Sequence, residues 1–110
     1  MMIPFYARDG AATKALAATT TSARVQMLDN GNSTARYSCK VAVVGTGNVF
    51  LTAGGSAVTS VLPTTGGTLG GQCVQAGATE VLTFDGPYVA AITDTGTATV
   101  YLTEGYAKSF

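Results

Sequence analysis

The sequence predicts an all-β fold: an antiparallel β-sandwich, jelly-roll-like, with an extended N-terminal arm. Three observations carry that expectation. Apolar and polar residues alternate with period two, Gly-, Asn- and Pro-bearing turns separate the alternating runs, and only 11% of residues are charged. So few charges leave too little Glu and Lys to solvate helical surfaces, whereas Thr and Val suit short strands joined by glycine turns.

The elements follow in chain order. Residues 1–12 contain Pro4, which lacks a backbone donor, and no alternation long enough for a core strand; they are assigned to the arm. Residues 13–110 form one sandwich domain, since 110 residues allow no more than one. Residues 14–18 carry helix formers, but Thr19-Thr20-Thr21-Ser22 cuts them short, so an extended edge segment is expected. Ala23-Arg24-Val25-Gln26-Met27 and residues 36–43 both alternate, with Tyr37, Cys39, Val41 and Val43 on one face. The cluster Asp29-Asn30-Gly31-Asn32-Ser33 between them predicts a hairpin.

Further strands are predicted at 49–52, 57–62, 72–74 and 80–84, with 64–71 as a glycine-rich loop. Residues 88–92 and 97–103 are predicted to form a second hairpin around Asp94-Thr95-Gly96, with Ala98, Val100 and Leu102 sharing one face. Seven to nine short strands at this spacing match a sandwich or jelly roll. A weak internal echo runs through them. Val41-Ala42-Val43-Val44 returns as Val89-Ala90-Ala91-Ile92, and 49–54 returns as 100–105, as if two similar hairpins faced each other.

A core built from Ala and Val, with no Trp and four Phe, buries little area per residue. The sparse charge also leaves the surface open to association. A homo-oligomer is therefore expected, a trimer ahead of a dimer.

The search for chemistry finds little. There is no His, which removes His-dependent nucleophile systems and His metal ligation. Cys39 and Cys73 fit buried apolar residues better than a disulfide framework. Glu80 and Glu104 could neighbour each other, but acids at such positions are more often solvated edges than a glycosidase pair. Gly45-Thr46-Gly47 lacks the third glycine of a dinucleotide fingerprint, and 66–71 lacks the ending of a phosphate loop. The expectation is a non-enzyme without cofactor or metal. The six basic residues are scattered at net charge zero, against nucleic-acid binding. No apolar run is long enough for a membrane helix and no secretory leader opens the chain, so synthesis in a cytoplasm is expected.

What the sequence offers instead is bulky apolar residues outside the alternating runs. Ile3, Phe5 and Tyr6 lie in the arm, and Tyr106 and Phe110 follow the last expected strand. Buried in a partner's groove, each would contribute about 1.5–3 kcal/mol, so these five are the candidate docking contacts.

From Thr19 onward the chain resembles small virion proteins of tailed double-stranded DNA bacteriophages. The likeness rests on Thr19-Thr20-Thr21-Ser22-Ala23-Arg24-Val25, Val41-Ala42-Val43-Val44-Gly45-Thr46-Gly47-Asn48-Val49-Phe50-Leu51, Ala76-Gly77-Ala78-Thr79-Glu80-Val81-Leu82-Thr83-Phe84 and the run from Val89 to Gly105. It is a likeness of style and order rather than of one exclusive motif. It implies a capsid decoration (cement) protein, made in the host bacterial cytoplasm and placed on the capsid surface of the virion, with the major capsid protein as partner. A tail or fibre accessory component and a carbohydrate-binding sandwich module are the alternatives, the latter through exposed Tyr88, Tyr101 and Tyr106.

Overall fold

A computed structural model describes residues 5–7, 13–27, 36–67 and 70–107. Among these, every regular element is a β-strand: β1 (Phe5–Ala7), β2 (Thr13–Ala18), β3 (Ala23–Gln26), β4 (Arg36–Gly45), β5 (Val49–Gly54), β6 (Gln72–Val74), β7 (Thr79–Asp85), β8 (Tyr88–Thr93) and β9 (Ala98–Ala107). They form two antiparallel sheets. In the front sheet β9 lies between β4 and the β1/β2 edge, and β7 closes the other side of β4. The back sheet runs β3-β8-β5-β6.

Alternation sets the core between the sheets. Cys39, Val41 and Val43 of β4 point inward, as do Ala98, Val100 and Leu102 of β9, and the sequence groups both sets on one face. Val49 and Leu51 of β5 and Val89 and Ala91 of β8 meet them from the back sheet. Phe84 is the one aromatic ring among the described core residues, so packing relies on many small β-branched contacts. Residues 14–18 form the expected edge strand β2, paired with β9 alone.

Both expected hairpins are overturned. β3 pairs with β8 and β4 with β7 and β9, so residues 23–26 and 36–45 sit in different sheets. The intervening residues 29–33 lie outside the described residues. Likewise β8 belongs to the back sheet and β9 to the front. Period-two alternation fixes which face of a strand is apolar, but not whether the next strand lies beside it or across the core from it. With one apolar face per strand, an arch buries both faces against each other, which a flat hairpin does not.

The echo takes on a physical meaning here. The repeats are two arches, β4–β5 and β8–β9, each giving one strand to each sheet. They interlock through β4 with β9 and β5 with β8, and the echoed positions Val41/Val89, Val43/Ala91, Val49/Val100 and Leu51/Leu102 are all buried. The turn of the first arch needs a glycine. Gly45 sits at φ 152°, and a Cβ there would stand 2.6 Å from the Ala98 Cα. Gly86 does the same between β7 and β8: at φ 134° it packs against the Gly54 backbone.

The strand expected at 57–62 is absent; these residues have no strand partner. They cross the outward face of the back sheet instead. Ser60, buried, donates from Oγ to the Phe50 carbonyl at 2.7 Å, and its amide donates to Ser22 Oγ at 2.9 Å. Beneath this cover Ala90, on the outward side of β8, is fully buried outside the inter-sheet core. Val61 and Leu62 remain exposed, so the apolar run that suggested a strand has no buried face. The segment is held by serine hydrogen bonds rather than by a ladder.

Replacing Leu102 by Ala is expected to cost about 2–5 kcal/mol in urea unfolding. Ser60→Ala, which strips the cover of its anchor, should cost about 1–2 kcal/mol. Leu62→Ala should stay within about 0.5 kcal/mol. A large loss at Leu62 would mean that the segment packs inward.

Candidate functional site

The sequence names five docking residues, and the register brings three of them together. β1 pairs antiparallel with the end of β9, Phe5 opposite Ala107 and Tyr6 opposite Tyr106. Tyr106 thus lies within β9, not after it: the last strand runs to Ala107. Ile3 and Phe110 lie outside the described residues. The first and last strands therefore share one corner of the front sheet, and three aromatic residues stand on adjacent strands there.

Behind this corner lies a feature that the edge reading of Glu104 missed. Glu104 is only 3% exposed and faces the core directly opposite Cys39. Its place was legible, since it continues the inward parity of Ala98, Val100 and Leu102; chemical type outweighed position. The Cys39 thiol is pushed up to about 12, by burial first and by the charge of Glu104 second. Nearby, Lys14 donates from Nζ to the Gln26 carbonyl at 2.6 Å and ties the β2 edge to the back sheet.

Glu80 and Glu104 do not form a pair across a cleft. β4 separates their strands, and Val41 and Cys39 fill the inward positions between them. Glu80 is exposed at the β7 edge while Glu104 is buried. The tyrosines are likewise dispersed. Tyr88 lies on the outward side of the back sheet, bonded to Gln26 at 3.4 Å, and Tyr101 on the outward side of the front sheet. They form no common platform for a sugar ring. A cleft of 510 Å³ at the open edge between β7 and β5 is lined by Leu51, Thr52, Gln72, Leu82, Phe84 and Asp85 among others. It offers one charged side chain and no exposed aromatic.

The end of the sandwich away from the aromatic corner is fastened by polar bonds. Asp94 accepts hydrogen bonds from the Asn48 amide and from Asn48 Nδ2, both at 3.1 Å. Asn48 Oδ1 accepts from the Ala76 amide at 3.1 Å. One asparagine thus ties together the β4–β5, β6–β7 and β8–β9 connections. Residues 45–48, which open like a nucleotide-binding fingerprint, serve as this corner. Among the described residues no cluster of three or more Cys, Asp or Glu could hold a metal, and no helix is long and apolar enough to cross a membrane.

Compared with known proteins, the chain matches no family model, no curated protein and no solved structure.

The thiols provide a check on this geometry. Cys73 is exposed, so a maleimide should label one cysteine in the folded protein and both in urea. The Cys39 shift sets a sign for stability. The unfolded thiol ionises near 9.0 and the folded one near 12, so the folded state keeps its proton across that window. Stability is fully present below pH 9 and falls as pH rises toward 12. Cys39→Ala should flatten the alkaline part of the melting-temperature profile relative to wild type; identical slopes would refute the buried thiol.

Proposed function

We propose that this chain is a structural virion protein that binds and stabilises a bacteriophage capsid shell as a decoration protein. In this reading β2–β9 form an eight-stranded jelly roll. The supporting observation is the strand order: β2-β9-β4-β7 faces β3-β8-β5-β6, with successive strands crossing between the sheets except at β5–β6. That wrapping is the double-sheet scheme used by viral capsid and lectin domains. Residues 1–12 act as the arm, with Phe5–Ala7 as its strand-forming part.

The aromatic corner is the docking element, and the major capsid protein its partner. Phe5, Tyr6 and Tyr106 sit on neighbouring strands at one end, away from the Asn48–Asp94 clasp. A rigid body fixed at one end can then dock through the paired strands at the other. Each contact is small, and repetition over a shell multiplies it by avidity. The protein acts as a self-associated unit, as its low charge favours.

Quantitative mass spectrometry of purified particles tests the assignment. Hundreds of copies per particle are expected. Tens or fewer would move the protein to the tail, and its absence would end the virion reading. Tyr6→Ala combined with Tyr106→Ala should lower occupancy while leaving the melting temperature within a few degrees; full occupancy would remove the corner from docking.

A further inference from the structure

We propose that the outward face of the front sheet is a self-complementary surface that pairs two copies of this chain about a twofold axis. This stands independently of the virion role. The two sheets differ in their outer sides. The back sheet is covered by the 58–61 crossing, anchored at Ser60, whereas no described segment covers the front sheet. On that open face Val44 is 60%, Val81 45% and Tyr101 42% exposed, an unusual load of apolar surface for strands. Lys40 is the one charged side chain across its central rows, with Asp85 beyond at the β7 end.

The register of the two central strands shows why a second copy fits. On the outward side Val44 stands beside Thr99, Ala42 beside Tyr101 and Lys40 beside Thr103. A twofold axis parallel to the strands, between β4 and β9, lays β9 of one copy over β4 of the other. Each outward residue of β4 and β9 then meets its own register neighbour from the second copy. Tyr101 covers the small Ala42, so large meets small at both symmetric positions. Lys40 meets the Thr103 hydroxyl rather than a second ammonium. Val44 and Thr99 both border a hollow of 260 Å³, with Ala17, Gly45 and Thr97. Val44 of the second copy enters it beside Val44 of the first, so the contact is the same from either copy, as an isologous pairing requires.

The overlap is modest. Strands lie about 4.8 Å apart and outward rows about 6.8 Å apart, and only the Ala42–Tyr101 and Lys40–Thr103 rows cross all four strands, so each copy contributes about 400 Å². Two copies together remove about 800 Å², the range of a weak, concentration-dependent contact. Two identical twisted sheets can also pack face to face with their mean strand directions aligned, within the range found in sandwiches. The contact makes dimers, in place of the threefold arrangement expected from composition.

Sedimentation of the full chain up to about 200 µM tests this. Wild type should form a concentration-dependent dimer. Val44→Asp should raise the dissociation constant at least about thirtyfold, and Tyr101→Thr should weaken it in the same direction. Val61→Asp, 47% exposed but over the back sheet, should leave it unchanged. Circular dichroism should be the same for all four proteins. A wild-type monomer throughout, a trimer, or a Val61→Asp effect equal to that of Val44→Asp would overturn the proposal; should Val44→Asp fail to fold, Tyr101→Thr against Val61→Asp decides alone.

Discussion

Two pairings carry the rest of the fold: β4 with β9, and β5 with β8. Partners lie 53 to 67 residues apart in the first and 34 to 44 in the second, so closing them costs chain entropy before any burial returns it. Once formed, they stack face to face and bury the Val, Ala and Leu layer that makes up most of the core. No single side chain there is large. Stability comes from the number of β-branched contacts and from the Cβ-free turns that let the arches close tightly. Gly45 against Ala98 and Gly86 against Gly54 are such places: a side chain at Gly45 would push β4 from β9 within the front sheet, and one at Gly86 would strike the end of β5. Nearly all of the pairing is non-local, the mark of a slowly folding topology.

Strand positions and facing were legible in the residues because period two is imposed by the backbone itself. Cys39-Lys40-Val41 and Val100-Tyr101-Leu102 announce which side goes in, and the structure places them so. Partner choice was not legible. Asp94-Thr95-Gly96 turns the chain equally well into a hairpin or an arch, and the decision rests on what lies opposite, which no local pattern records. Residues 57–62 failed for a related reason. Val58, Val61 and Leu62 look like strand, yet Ser60 holds the segment by side-chain hydrogen bonds across the outside of a sheet.

The candidate site divides in the same way. Aromatic residues near the two ends of the sequence stood out by type, but their meeting at one corner depends on the β1–β9 register, a pairing about a hundred residues long-range. Glu104 was legible by parity and was misread by chemistry. A carboxylate at an inward position normally argues for a strand's end, and β9 continues past it to Ala107 because β1 supplies a further partner strand. The buried acid faces Cys39 through the β4–β9 pairing, one residue before the stretch of β9 that receives β1.

This extension also explains how the molecule separates its surfaces. β9 is the one strand that touches every functional region: its start is bonded into the clasped end, its middle carries Tyr101 on the open face, and its end pairs with β1 at the aromatic corner. The open face is broad, with Lys40 the one charged side chain across its central rows. The corner is narrow and lies at the rim. A broad face suits a copy of itself, since both partners bring the same twist and the same spacing. On the proposed docking role the two contacts use different parts of the front sheet, so a pair joined through its faces would carry two corners.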